Sequence, residues 1–584
     1  MSDQAASVPS GTEFRVNLTT DDDQRRPAIT ALADGGFVVT WESDGQDGDG
    51  FGIYGQRYMA DGSPLGSEFL INTRVSGWQE FSSVASLADG GFVVAWTAEQ
   101  EGWEGEPDPD TGIFAQRYAA DGTPVGGESD VSTGFPYNGF SALTGLPDGG
   151  FVAAWVGFRS GDDGSIYARR FAADGSPAAA TEFKVSTFDG LQRDPAIAAL
   201  ADGQFVVIWA SAVLPSEGPQ GNGISGQFYT EEGIPLGAEF RITDFQGLSE
   251  NTAVTALKNG GFVVTWTSPD MGGPSGSEVF GRRYAPDGTP DGDEFRINTT
   301  TADDQFAPSV SALPNGGFVV AWTSVLQDGT PGSIYAQRFA PNGDAAGAEF
   351  LVNTHTPGLQ TAPAVTVLSD GSFVITWQSE DQDGSGAGIY AQRFAAVPYA
   401  APTDISLSGT SIVENAPAGT IIGTATAIDP DIGDVFVWSL VDDAGGLFAI
   451  DSATGALRAT QPLDYETVPA HDVTVRVTDA AGLSYDETFT IGVQDVTTGD
   501  LYVGTDGDDT IPFPAIGNLD GVDGGAGTDR LILTAAAVAM RPTDDGLALY
   551  FELDGIDGAP ADGTIDRVLT AQNVEEVEIR AESA

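Results

Sequence analysis

"ADGGFVVTW", residues 33–41, decides the fold. A Gly-rich turn headed by Asp34 runs into an apolar segment closed by tryptophan. The stretch recurs, altered, six more times, and its tryptophans are Trp41, Trp96, Trp155, Trp209, Trp266, Trp322 and Trp377. Their spacings of 55, 59, 54, 57, 56 and 55 residues mark a repeat architecture. Around the first copy lie "PAITAL" (27–32), "IYGQRY" (53–58) and "EFLINT" (68–73), separated by Asp/Gly-rich turns. Helical periodicity is absent. Four antiparallel strands in each of seven repeats predict an all-β chain with a seven-bladed β-propeller over residues 13–396, preceded by a flexible segment, 1–12.

Two features sharpen that expectation. First segments such as "SVASL" and "PAIAAL" are built from small or β-branched residues, which suit an innermost strand crowding an axis. The motif "EFRVN" starts at Glu13 and returns at Glu68, Glu182, Glu239, Glu294 and Glu349, with a degenerate "ESDVS" at Glu128. The first copy precedes the first hairpin and none follows residue 394. The N-terminal strand is therefore expected to complete the last blade and close the ring.

Composition limits the partners. Asp and Glu number 85 against 24 Lys and Arg, a formal net charge of −61. That field repels nucleic acid and anionic membranes and attracts cations. It suits either a solvated acidic surface or a chain loaded with calcium. Cysteine is absent, which excludes disulfides and thiolate chemistry. The first residues, "MSDQAASVPSGTEF", lack the basic and apolar regions of a Sec-type signal peptide. No window approaches 18 apolar residues, so no membrane-spanning helix is expected. If the chain is exported, its address is expected elsewhere.

The repeats resemble those of large secreted bacterial proteins of the RTX (repeats-in-toxin) type, in which "DGGFVVTW", "GIYAQRF" and "EF.VNT" recur. After the linker "AAVPYAAPTDISLSG", residues 401–496 read as one β-sandwich with acids at strand ends and loops. These are Glu414 in "VENAPAGT", Asp429 and Asp431 in "AIDPDIGD", Asp464 and Glu466 in "LDYE", and Asp479 in "VTDAAG". Carboxylates converging from several loops supply the six to eight oxygens that calcium wants. This ordered set resembles a cadherin-type (Ig-like) repeat. The resemblance implies two calcium half-sites: Glu414, Asp464 and Glu466 at the C-terminal end, and Asp429, Asp431 and Asp479 at the other. The Asp-x-Asn-Asp-Asn linker of that family is missing, since residues 495–499 read "DVTTG". Its absence implies weak sites.

Residues 499–584 change texture again. "GTDGDDTIP" (504–512) and "GGAGTDRLI" (524–532) fit the RTX nonapeptide, the first imperfectly, and point to Asp509 and Asp529 as calcium ligands. Two copies are too few for a stable β-roll. The tail "IDRVLTAQNVEEVEIRAESA" resembles the uncleaved C-terminal signal of proteins exported by type I secretion machinery.

Catalytic constellations are scarce. The only histidines, His355 and His471, have no partner set for zinc or for a nucleophile–base triad. A pair of propeller carboxylates acting on polysaccharide is the enzymatic alternative. The acidic loops 44–50 and 380–386 are candidate oxygen clusters for calcium. The divergent loops "TAEQEGWEGEPDPDTG", with Trp103, and "ASAVLPSEGPQGNG" are candidate walls of a sugar site. Together these readings predict a non-enzymatic, extracellular, calcium-dependent adhesion or binding protein. The propeller would present an extracellular glycan or protein ligand, and the sandwich would act as spacer or contact module.

Overall fold

The computed structural model describes residues 7–99, 112–133, 137–158, 164–179, 181–187, 190–201, 203–212, 222–243, 249–269, 276–396, 400–429, 435–465 and 467–495, and the backbone of eight strands beyond residue 500. Every regular element among the described residues is a β-strand, so the all-β class stands. The N-terminal 400 residues contain seven four-stranded antiparallel sheets among the described residues. Sheet one is Gln24–Ala31, Phe37–Asp44, Phe51–Tyr58 and Pro64–Leu70, in that order. Sheets two to seven begin at Trp78–Ser86, Tyr137–Gly145, Leu191–Ala199, Glu250–Ala256, Gln305–Ala312 and Gln360–Val367.

The opening hairpin explains itself locally. Gly36 N donates to Asp34 Oδ1 at 2.9 Å, an Asx turn, and Gly35 takes φ 87° without a Cβ penalty. Asn259 and Asn315 offer the same carbonyl-type oxygen to Gly261 and Gly317, so the turn does not need the charge. The charge serves a second contact, since Arg57 Nη2 sits 3.1 Å from Asp34 Oδ2. Where the turn carries Asn259, Arg283 pairs with Asp291 instead. The second strand is buried along nearly its whole length, which is why it reads as a continuous apolar run. Trp41 packs on Leu368, Val374 and Ile389 of sheet seven, and Trp96 on Leu32, Val38 and Ile53 of sheet one. Each tryptophan thus seals its own sheet against the preceding one.

The sheets close on themselves. The first strand of each lies against the first strand of the next, and sheet seven lies against sheet one. Small hydroxyl side chains on these strands cap neighbouring backbone. Ala31 N donates to Thr366 Oγ1 at 3.0 Å, Val365 N to Ser309 Oγ at 3.1 Å and Ala199 N to Thr144 Oγ1 at 3.1 Å. Inner edges that would otherwise expose unpaired N–H groups are satisfied in this way. Strand Phe14–Arg15 pairs with Ala387–Phe394 as the fourth strand of sheet seven, Phe14 opposite Ala391.

The glutamate of the "EFRVN" motif links sheets at the periphery. Glu68 Oε2 accepts from Leu18 N at 2.6 Å, Glu128 Oε2 from Thr73 N at 2.9 Å, Glu349 Oε2 from Thr299 N at 2.7 Å and Glu13 Oε2 from Thr354 N at 2.6 Å. Each donor belongs to the preceding sheet, so the latch continues across the seam between sheets seven and one. The degenerate copy at Glu128 keeps it.

Residues 404–494 form two four-stranded sheets. Asp404–Leu407, Ile421–Ile428, Ala456–Ala459 and Phe448–Ile450 make one, in that order. Ser411–Val413, Ser484–Gln494, Ala470–Thr478 and Val437–Asp442 make the other, with Ser411–Val413 parallel to Ser484–Gln494. Ile412, Phe448, Leu457, Val473 and Ile491 fill the space between. Alternating burial along Ala470–Thr478 is the mark of a half-buried antiparallel strand.

Beyond residue 500, parallel strands pair in two stacks of three, one layer more than the two Gly-rich copies. Leu501–Val503, Gly521–Asp523 and Arg567–Gln572 are one stack; Thr510–Pro512, Arg530–Leu533 and Glu576–Ile579 are the other. The third layer comes from the tail whose sequence resembles an export signal.

Candidate functional site

One irregularity recurs where the repeats otherwise differ. In every sheet the first strand breaks register against the second. In six sheets two residues oppose a single partner, and that partner is the tryptophan: Arg26 and Pro27 face Trp41, and Asp194 and Pro195 face Trp209. These are β-bulges. Their leading residues, Arg26, Phe81, Asp194, Asn251, Ala307 and Ala362, all have φ between 50° and 57°. None is glycine, so each carries left-handed strain of about 1–2 kcal/mol. The bulges and Ser141 of sheet three line a cavity of ≈ 380 Å³ to which all seven sheets contribute.

The bulge N–H groups are tied down by the preceding sheet. Arg26 N donates to Gln378 at 3.4 Å, Phe81 N to Glu42 at 2.6 Å and Ala307 N to Thr267 at 3.2 Å. Each acceptor directly follows a repeat tryptophan. After Trp209 that position is Ala210, which has no side-chain acceptor, and Asp194 Oδ2 takes Asn251 N at 2.9 Å instead. Glu42 is fully buried and also meets Arg25 Nε at 2.9 Å and Arg26 Nη1 at 3.1 Å. Burial raises its carboxyl above the usual range, against the pull of Arg26 and the other donors.

A second, larger cavity of ≈ 830 Å³ adjoins the first, sharing Phe81, Asp194 and Asn251. Its walls come from sheets two to five: Val156, Phe158 and Leu191 are apolar, and Glu99, Arg193 and Glu250 are charged. Arg193 Nη2 lies 3.0 Å from Glu250 Oε2. Glu99 is exposed at the cavity's edge, and partial desolvation there, and then the neighbouring Glu80, push its carboxyl above the usual carboxylate range. Sequence reasoning missed the bulges; of the larger cavity it touched only Glu99, inside the divergent stretch 97–112. The available signal was proline inside a paired strand, at Pro27, Pro195, Pro308 and Pro363, a position that bulges allow and regular ladders do not.

The predicted calcium ligands divide. Glu414 is buried; its N donates to Gln494 O at 3.0 Å and its Oε2 accepts from Tyr465 N at 3.2 Å. Asn415 N bonds Leu463 O at 2.9 Å, so Glu414 and the 463–465 segment are brought together. Asp464 is exposed and accepts from Thr467 Oγ1. Asp479 is 4% exposed; its Oδ1 accepts from Leu483 N at 2.7 Å, while buried Oδ2 has no hydrogen-bond partner among the described residues. Asp429 is half-buried just after strand Ile421–Ile428. Asp431, Glu466, Asp509, Asp529, Trp103 and most of both divergent loops lie outside the described residues. In the acidic loops, Asp47 Oδ2 accepts from Asn72 at 3.1 Å, Asp49 from Gly77 N at 3.2 Å and Asp383 from Asn17 at 3.4 Å. Among the described residues no three His, Asp or Glu side chains converge as a metal cluster.

With this geometry in view, comparison with known proteins gives one family match, to the cadherin domain over residues 409–494. Residues 409–494 are a cadherin domain. Human protocadherin-16 is 27% identical over 266 residues, 41% of this chain but 8% of that protein. Rat cadherin-17 is 40% identical over 78 residues, 13% of this chain and 9% of that protein. The chain thus spans a small part of its curated relatives. A GH93 α-L-arabinofuranosidase of Fusarium graminearum aligns with 54% of this chain and 92% of its own at 13% identity and a TM-score of 0.38, too distant to carry an argument. The cadherin-domain match covers Glu414, Asp464 and Asp479. No helix among the described residues is long and apolar enough to cross a membrane.

Proposed function

We propose that the chain is a secreted, calcium-binding adhesion or binding protein and not an enzyme. The seven sheets act as a seven-bladed β-propeller over residues 13–396, presenting ligand at its axial mouth. The cadherin domain, within 401–496, serves as a calcium-dependent spacer or contact module. Residues 499–584 form an RTX-type region that type I secretion machinery would recognise, placing the protein outside the cell.

The observation that carries this reading is Asp479. A carboxylate oxygen buried without a hydrogen-bond partner is costly unless a cation completes it. Glu414, buried beside the 463–465 segment, supports the other half-site. Asp479, Asp429 and Asp431 would hold ions at one end, and Glu414, Asp464 and Glu466 at the other. Asp509 and Asp529 would do so in the RTX-type region. Bound calcium would neutralise these carboxylates and stiffen their loops.

Thermal unfolding of the full chain in millimolar calcium and in chelator tests the reading. A native state that binds the ion is stabilised through linkage. An upward shift of the cadherin-domain transition is expected; identical transitions would refute calcium binding.

Glu80 and Glu99 favour one rival, a polysaccharide hydrolase or lyase, because a raised carboxyl beside a second one suits a general acid. Release of reducing ends or unsaturated products from polysaccharide would establish it.

A further inference from the structure

We infer that the larger cavity, between sheets two and five, is a binding site for a neutral saccharide. The inference rests on the propeller as a ligand-presenting scaffold but not on calcium. Its ≈ 830 Å³ falls within the range of about 300–1,000 Å³ usual for small-molecule sites.

The wall is built rather than incidental. Gly164, at φ 109°, lets Phe158 and Leu191 close in; a Cβ there would sit 2.7 Å from Phe158 and 3.0 Å from Leu191. Phe81 and Asn251 enter from strained bulges, and Arg26 stacks on the Phe81 ring at 4.3 Å. Six bulges share one backbone conformation but carry five different side-chain types. Glycine, which would relax the strain, is used at none of the six. Uniform backbone with varied side chains is how a repeat ring makes one asymmetric site.

The lining chemistry selects the ligand. Phe81 and Phe158 offer aromatic surface for the apolar face of a sugar ring. Glu99 and Asp194 are acceptors, and Arg193 and Asn251 are donors, a mixture that hydroxyl groups meet because each can donate and accept. Arg193 is already paired with Glu250, so the three carboxylates are not offset toward an anion. A purely apolar ligand would gain nothing from Glu99, Arg193 or Asn251.

The test is a glycan array with neutral, acidic and amine-bearing arms, probed with the full chain in calcium and in chelator. The strongest neutral ligand is then titrated against Glu99→Gln and Phe158→Ala. Neutral arms are expected to bind, with affinity unchanged by chelator. Phe158→Ala should weaken binding about tenfold or more. Glu99→Gln should weaken it several-fold with an unchanged unfolding midpoint. Preference for acidic or amine-bearing arms, no binding in any arm, or wild-type affinity in both variants would overturn the inference. Binding abolished by chelator would overturn it in favour of a calcium-bridged ligand. The chelator arm separates this result from failure of the calcium reading, which concerns the cadherin domain.

Discussion

Two strands of each sheet face one another across the bulge and obey opposite rules. The second strand repeats itself: tryptophan is buried in all seven copies. The first strand holds its shape but changes its side chains, from Arg26 and Phe81 through Asp194 and Asn251 to Ala307 and Ala362. The repeated strand supplies packing, and the varied one supplies the surface of the cavities. The comparison predicts that substitutions on the two strands have very different consequences.

The largest effect should come from the invariant side. Trp41→Ala removes a fully buried ring from the seam with sheet seven, and a loss of about 3–5 kcal/mol is expected by denaturant unfolding. Next comes the peripheral latch. Glu349 accepts from Thr299 N at 2.7 Å, Thr300 Oγ1 at 2.6 Å and Gln327 Nε2 at 2.8 Å. Glu349→Ala should cost about 1–2 kcal/mol. Burial works to raise that carboxyl, but the hydrogen bonds from Thr300, Thr299 and Gln327 outweigh it and hold it below its usual value. A depressed folded value means that its stabilisation is present above the unfolded carboxylate value and is lost as pH falls through the folded one. Unfolding midpoints should therefore fall below about pH 4.5. The difference between wild type and Glu349→Ala should shrink there.

Smaller effects are expected on the varied strand. Ala362→Gly relieves left-handed strain of about 1–2 kcal/mol and loosens the unfolded chain by about 0.4–1 kcal/mol. The net gain should be about 0.5 kcal/mol, read as a slight rise in midpoint. The mildest change is Asp34→Asn. It keeps the turn, as Asn259 and Asn315 do, and loses only the pair with Arg57, about 0–1 kcal/mol because Asp34 is half exposed.

These contrasts also explain what could be read in advance. Strand class, repeat period and hairpin turn follow from residues 33–41, because local propensity and burial agree there. The ordered acids marked the cadherin domain, and two of them, Glu414 and Asp479, are buried. The bulges were hidden because their residues have nothing in common except φ, which composition does not record; only the prolines hinted at them. The third layer beyond residue 500 was hidden because strands 567–572 and 576–579 lack the Gly-rich motif and are placed by backbone pairing with strands far from them in sequence. The latch was visible as a repeated glutamate, but its partner lies in the neighbouring sheet, a contact that no single repeat contains.

Gly139 offers the most direct test that scaffold and site are separable. It lines the larger cavity, and a Cβ placed on it meets nothing within 4 Å among the described residues. Saccharide affinity and unfolding midpoint should be measured together on Gly139→Trp. Lost binding with a midpoint within a degree or so of wild type, roughly what a neutral surface change gives, is the expected result. Retained binding would contradict the account.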